Sequence, residues 1–192
     1  MPWNLPTLLT WARVVAIPLL VGVYFLPIPV FAQNLLATVL FVGAAITDWL
    51  DGWLARRWGQ TSAFGAFLDP VADKLIVCVA LIMLVHLERV DVIVAAIIVG
   101  RELTISALRE WMAQMGARAS LAVHSIGKLK TVAQLVSIPL LLFDAPIASL
   151  VHSRLLGTWL VWIAAVLTVW SMLYYLRRAW PILRDGASKP AR

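Results

Sequence analysis

This sequence predicts an all-α, polytopic membrane protein of six transmembrane helices, and three observations carry that prediction. The chain is 62% hydrophobic and only 14% charged, whereas soluble domains are typically about half apolar and a quarter charged. Its apolar residues fall into runs of roughly 20, the length a helix needs to cross a bilayer. Its Lys and Arg residues gather at alternate ends of those runs, as they do when one side of a membrane is cytoplasmic.

The first span is Leu8–Leu26, and Pro27 and Pro29 break the chain after it. It is read as a span and not a cleaved leader: Val30-Phe31-Ala32 is a weak cleavage site and the start lacks a basic segment. Trp3 to Thr7 precede it as a short helix or turn along the surface. The second span is Gln33–Ala55, joined through Arg57–Ser62 to a third, Phe67–Leu87. His86–Asp91 turns the chain into the fourth span, Val90–Met112. A polar loop, Gly116–Ser125, leads to the fifth span, Ile126–Phe143. Asp144–Ser153, with Pro146, leads to the sixth, Leu155–Leu176. No interval has room for a separate soluble domain, so residues 1–180 form one membrane domain and 181–192 a basic tail.

With the N-terminus inside, the inner loops and tail hold Arg56, Arg57, Arg118, Lys128, Arg177, Arg178, Arg184, Lys189 and Arg192. The outer turns hold only Arg89 and Arg154. Both termini therefore face the cytoplasm, in the cytoplasmic (inner) membrane. The net charge of +6 sets topology and meets anionic lipid headgroups; nucleic acid is not an expected partner. Trp3, Trp11, Trp58, Trp111 and Trp180 fall near the predicted interfaces, where amphipathic rings are favoured. Cys78 is the only cysteine, so no internal disulfide forms; mid-span, it is a small packing residue.

The chemistry lies in Thr47–Lys74, where Asp48, Asp51, Asp69 and Asp73 stand between apolar runs. Asp48 and Asp51 are three apart at the inner end of the second span, and Asp69 and Asp73 four apart at the inner start of the third. Each spacing puts both carboxylates on one helix face. The short connection makes the two spans antiparallel neighbours, so all four converge at one depth. Uncompensated, they repel; hard divalent cations, magnesium or manganese, relieve that through oxygen ligands. Gly52 and Gly65 permit close approach of a ligand, Ala55 keeps the same face open, and Arg56 offers a planar donor fork suited to phosphate. Carboxylates, metal and arginine together describe phosphoryl transfer. A lone aspartate at a span end is commonly an interfacial anchor. Four on adjacent spans, with two glycines and an arginine, are a site.

Asp48-x2-Asp51-Gly52-x2-Ala55-Arg56-x8-Gly65-x3-Asp69-x3-Asp73 resembles, at every defined position, the signature of the CDP-alcohol phosphotransferase family. The resemblance implies a six-helix membrane fold, a homodimer, and an active-site cavity facing the cytoplasm. It implies that Asp48, Asp51 and Asp69 bind metal and that Asp73 completes a set for two Mg2+ or Mn2+ ions. It makes Asp73 the candidate general base, and Asp51, Gly52, Ala55, Arg56 and Gly65 the CDP site. The reaction it implies moves a phosphatidyl or similar group from a CDP-linked donor to an alcohol, releasing CMP.

For the alcohol, Arg101 and Arg109 share a face of the fourth span, with Ile105 between them, and Lys128 and Lys130 open the fifth. Four cations around one inner cavity suit an anionic acceptor and are the candidate acceptor-phosphate site; Glu102 and Glu110 are partners for them, by i,i+4 or cross-helix pairing. These segments, with Asn4–Thr10 and Arg13, resemble the branch of the family that uses CDP-diacylglycerol and sn-glycerol 3-phosphate. Inositol phosphate, serine or phosphatidylglycerol as acceptor are the alternatives within the family. An ion transporter is the rival from another class, but the outer halves of the spans are nearly free of the acidic groups an ion path needs. His86 and His152 fall on the outer side, away from the aspartates, and His124 has no metal-ligand spacing. Thr47, Ser106 and Thr131 read as packing or backbone-bonding hydroxyls.

Overall fold

A computed structural model describes residues 5–58, 63–114, 125–148 and 151–186. Its helices are α1 (Leu5–Gly22), α2 (Val30–Trp58), α3 (Ala63–His86), α4 (Val92–Gln114), α5 (Ser125–Phe143) and α6 (Ser153–Gly186). Each overlaps one of the apolar runs read from the sequence. Helix α1 gives way to a 3-10 turn at Val23–Phe25, and α6 continues past residue 175, where the sequence becomes basic, to Gly186. The Asp144–Ser153 connection, expected as a loop, contains a small antiparallel hairpin, β1 (Pro146–Ala148) with β2 (Val151–His152).

Among the described residues, three helices contain a stretch long and apolar enough to cross a bilayer on composition alone: Leu8–Phe25, Val30–Leu50 and Ser153–Tyr174. Leu129–Phe143 is a shorter apolar run. Helices α3 and α4 interrupt their apolar character with Asp69, Asp73 and Lys74, and with Arg101, Glu102, Arg109 and Glu110. The exterior is greasy all round: Val39, Val132, Trp159 and Val166 are each more than half exposed. Water does not tolerate so continuous an apolar surface; lipid is its natural solvent.

Helix α1 packs on α2 and α3, α5 on α2 and α6, and α4 on α6. The buried core draws on Leu20, Phe41, Leu81, Leu84, Ile98, Leu141, Leu142 and Val161. These come from the late parts of α1, α3 and α5 and the early parts of α2, α4 and α6, so in this up-and-down bundle the core fills one end. Gly157 lets α5 and α6 meet there, since a Cβ at that position would lie 2.7 Å from Leu141 Cγ; small residues at such crossings bring helices close.

Polar groups seal the same end. Gln33 Nε2 donates to the carbonyl of Leu26 (2.9 Å) across the α1–α2 turn. Asp91 Oδ1 accepts from the Ile93 amide at 2.7 Å, capping α4. The Ala145 amide donates to Ser153 Oγ (3.0 Å) and the Ser153 amide to the Ala145 carbonyl (3.1 Å), closing the hairpin. Arg89, read from sequence as an outer-turn topology charge, is buried instead. Its Nη1 donates to the carbonyls of Leu141 (3.1 Å) and Leu142 (2.9 Å), its Nη2 to Asn34 Oδ1 (2.9 Å), and its Nε lies 3.2 Å from Asp144 Oδ2. One guanidinium thus caps the C-terminal carbonyls of α5, which the helix itself leaves unsatisfied, and ties them to α2 and the α3–α4 turn.

Candidate active site

The opposite end collects the aspartates of α2 and α3 with the bases of α1, α4 and α5, because it receives the start of α1, the end of α2, the start of α3, the later half of α4 and the start of α5. Asp48 on α2 forms an ion pair with Arg13 on α1 at 2.9 Å; the arginine is 1% exposed and the aspartate 45%. One turn earlier on α1, the buried hydroxyl of Thr10 donates to Asp69 Oδ1 on α3. Arg13 and Thr10 are three apart, so a single face of α1 addresses both aspartates. Asp73, one turn beyond Asp69, is exposed and lies within electrostatic reach of Asp48, Arg13 and Glu102.

Through Glu102 the acidic group adjoins a basic one. Glu102 Oε1 on α4 lies 2.8 Å from Arg101 Nη1 and 2.6 Å from Lys130 Nζ on α5. Arg101 and Lys130 are 5% and 4% exposed, so neither is a headgroup anchor at the surface. Ile105, one turn after Arg101, is also buried, so this face of α4 turns inward. Arg101 Nε is buried with no hydrogen-bond partner among the described residues: the guanidinium keeps a donor beyond the one Glu102 engages. The triad carries two cations and one carboxylate, leaving a net positive centre beside the aspartates.

Of the residues singled out from sequence, Asp48, Asp69, Asp73, Arg101 and Lys130 are thus brought to one end. Asp51, Gly52, Ala55 and Arg56 lie on the last turns of α2, Gly65 near the start of α3, Arg109 on α4 and Lys128 on the first turn of α5. The side chains and surroundings of these seven lie outside the described residues. Thr10 and Arg13 entered the sequence reading only through a family likeness, and the structure gives both a direct role against the aspartates. The signal available beforehand was that Arg13 is the one charged residue in the α1 sequence. Thr47 and Ser106 bond helix carbonyls, Thr47 to Ala44 (2.8 Å) and Ser106 to Glu102 (2.6 Å), as expected. His152 sits at the sealed end, 3.8 Å from Asp144.

Among the described residues, no three Asp, Glu, His or Cys side chains stand together as a ready cage for an ion. The donor chemistry nonetheless fits a hard divalent cation, since Asp48, Asp69 and Asp73 supply only carboxylate oxygens.

Residues 3–170 match the family model described as CDP-alcohol phosphatidyltransferase. The chain is also similar to curated proteins named CDP-diacylglycerol–glycerol-3-phosphate 3-phosphatidyltransferase. That of Salmonella choleraesuis (strain SC-B67) is 50% identical over 182 residues, covering 93% of this chain and 96% of the relative. Those of Shigella flexneri serotype 5b (strain 8401) and Escherichia coli (strain K12) are each 48% identical over 187 residues, covering 96% of this chain and all of the relative.

Proposed function

Because this chain belongs to the CDP-alcohol phosphatidyltransferase family, we propose that its two charged centres carry out the reaction named for its relatives. The activity is transfer of the phosphatidyl group from CDP-diacylglycerol to sn-glycerol 3-phosphate, giving phosphatidylglycerophosphate and CMP in phospholipid biosynthesis. The observation that carries the division of labour is the meeting, at one end of the bundle, of aspartates on α2 and α3 with the net-positive Arg101–Glu102–Lys130 triad on α4 and α5.

In this reading Asp48, Asp51, Asp69 and Asp73 hold two magnesium or manganese ions. When bound, such ions neutralise the diphosphate and stabilise the attacking and leaving oxygens. Gly52, Ala55 and Gly65 leave room for the nucleotide, with Asp51 beside it, and Arg56 donates to the diphosphate. Arg101, Arg109, Lys128 and Lys130 receive the phosphate of the acceptor and orient its hydroxyl towards the donor phosphorus. Asp73 takes the hydroxyl proton as the new P–O bond forms and the P–O bond to CMP breaks. Glu102 holds Arg101 and Lys130 in place while leaving the triad a net positive charge. The site opens to the cytoplasmic side of the inner membrane, six helices span that membrane among its lipids, and the enzyme works as a homodimer.

The test is CMP release by purified protein with CDP-diacylglycerol and a panel of acceptors, namely sn-glycerol 3-phosphate, inositol phosphate, serine and phosphatidylglycerol, with and without Mg2+ or Mn2+. Turnover is expected with sn-glycerol 3-phosphate and a divalent ion, and is expected to vanish in Asp48→Asn and Asp69→Asn protein that still inserts. Turnover that persists in both variants, or after chelation, would remove the metal role; preference for another acceptor would remove the substrate assignment.

A further inference from the structure

We infer that Arg13 is the fixed counter-charge of the aspartate centre and sets how tightly that centre takes a divalent cation. This rests on the metal role proposed for Asp48 and goes beyond it: neither the aspartate signature nor the acceptor triad gives Arg13 a task.

Arg13 is the only charged residue in the α1 sequence, and at 1% exposure it neither reaches lipid headgroups nor acts as a topology charge in solvent. A buried cation is costly unless paired, and Arg13 pairs with Asp48, 2.9 Å away on another helix. Helix α1 is held in register with this centre a second time, since Thr10 donates to Asp69. The guanidinium is therefore positioned by the packing of α1 on α2 and α3. Guanidinium is charged at every working pH.

Two consequences follow from Coulomb's law. The fixed positive charge eases the mutual repulsion of neighbouring carboxylates. It also repels any divalent cation that shares Asp48 with it, so metal binding and the Arg13–Asp48 pair oppose one another. Arg13 is thus a positioning residue that moderates affinity. Opposed binding events of this kind are typically coupled by a factor of roughly 5 to 150.

The experiment is a Mn2+ titration of purified, detergent-solubilised protein, following the six-line electron paramagnetic resonance signal of free Mn2+, so the readout is binding and not turnover. Arg13→Gln should bind Mn2+ roughly 5- to 150-fold more tightly than wild type. Arg13→Lys keeps the charge, but on a shorter stem without the guanidinium fork. It should tighten binding in the same direction by a smaller factor, and it decides the matter should the glutamine variant fail to fold. A role that was merely structural would weaken Mn2+ binding or leave it unchanged, and either result overturns the inference. Asp48→Asn serves as the reference. If it loses Mn2+ while the Arg13 variants match wild type, the inference fails and the metal site stands; if it binds Mn2+ like wild type, the metal reading of Asp48 fails and the inference with it.

Discussion

Replacing Lys130 by glutamine tests the assignment of the acceptor phosphate to α4 and α5. Lys130 Nζ lies 2.6 Å from Glu102, which also holds Arg101 at 2.8 Å. The three side chains sum to one positive charge; after substitution Arg101 and Glu102 remain as a neutral pair, and a phosphate dianion loses the net attraction of this triad. Two unit charges about 4 Å apart interact by about 4 kcal/mol at an effective dielectric of about 20. Desolvation of the ammonium and the phosphate offsets part of that, and hydrogen bonds to charged groups settle at about 1.5–3 kcal/mol net. At about 1.4 kcal/mol per tenfold, KM for sn-glycerol 3-phosphate should rise about ten- to a hundredfold. The fold should survive, because Glu102 keeps Arg101 as a partner. The assay is CMP release at saturating CDP-diacylglycerol over a range of acceptor concentrations, repeated with the donor varied. KM for the donor should barely change, and free glycerol, having no phosphate to lose, should suffer less than glycerol phosphate. A wild-type KM for the acceptor, or an equal rise for both substrates, would refute the reasoning.

Two further predictions address the base and the sealed end. Asp73→Asn keeps the shape of the side chain but takes no proton, so turnover should fall by about 10²–10⁴-fold with donor binding weakened much less. Collapse of donor binding with normal turnover at saturation would make Asp73 a binding group instead. Arg89→Met should leave KM for both substrates unchanged but strand the carbonyls of Leu141 and Leu142, Asn34 and Asp144 without their shared donor. Breaking such a buried arrangement costs about 3–5 kcal/mol, so thermal unfolding in detergent should move to clearly lower temperature; an unchanged Tm would show that the network contributes little.

The helices were legible because membrane solvation writes itself into one dimension: a span must be apolar over its length, and Pro27, Pro29 and the polar connections mark where it stops. The aspartates were legible for the same reason, as charges in the wrong solvent at helical spacing. Glu102 was foreseen as a partner for the bases, and the cross-helix bond to Lys130 is how it acts. Arg13, Thr10 and Arg89 carried a weaker signal. The aspartates that Arg13 and Thr10 meet, and the carbonyls that Arg89 meets, lie at least 35 positions away, and only the packing of α1 against the end of α2 and the start of α3, or of the α3–α4 turn against the end of α5, reveals them. The hairpin at Pro146–His152 had no alternating pattern to announce it. Its two residue pairs, Pro146 with His152 and Ala148 with Val151, are tied instead by Ser153, which both donates to and accepts from the backbone of Ala145.

These partners divide the bundle into ends with different tasks. A site that gathers carboxylates and cations contributes little cohesion of its own, since like charges repel. Stability must come from elsewhere in the same six helices. Here it comes from the far end, where Leu20, Phe41, Leu81, Leu84, Leu141 and Leu142 are buried and Arg89 satisfies the last carbonyls of α5. Helix α1 joins the two regions: Leu20 lies in the core while Thr10 and Arg13, two to three turns earlier, reach the aspartates. A rigid apolar anchor at one end of α1 therefore fixes the position of a charge at the other. That is what allows a single buried arginine to act on the carboxylates as a constant field and not as a mobile counterion.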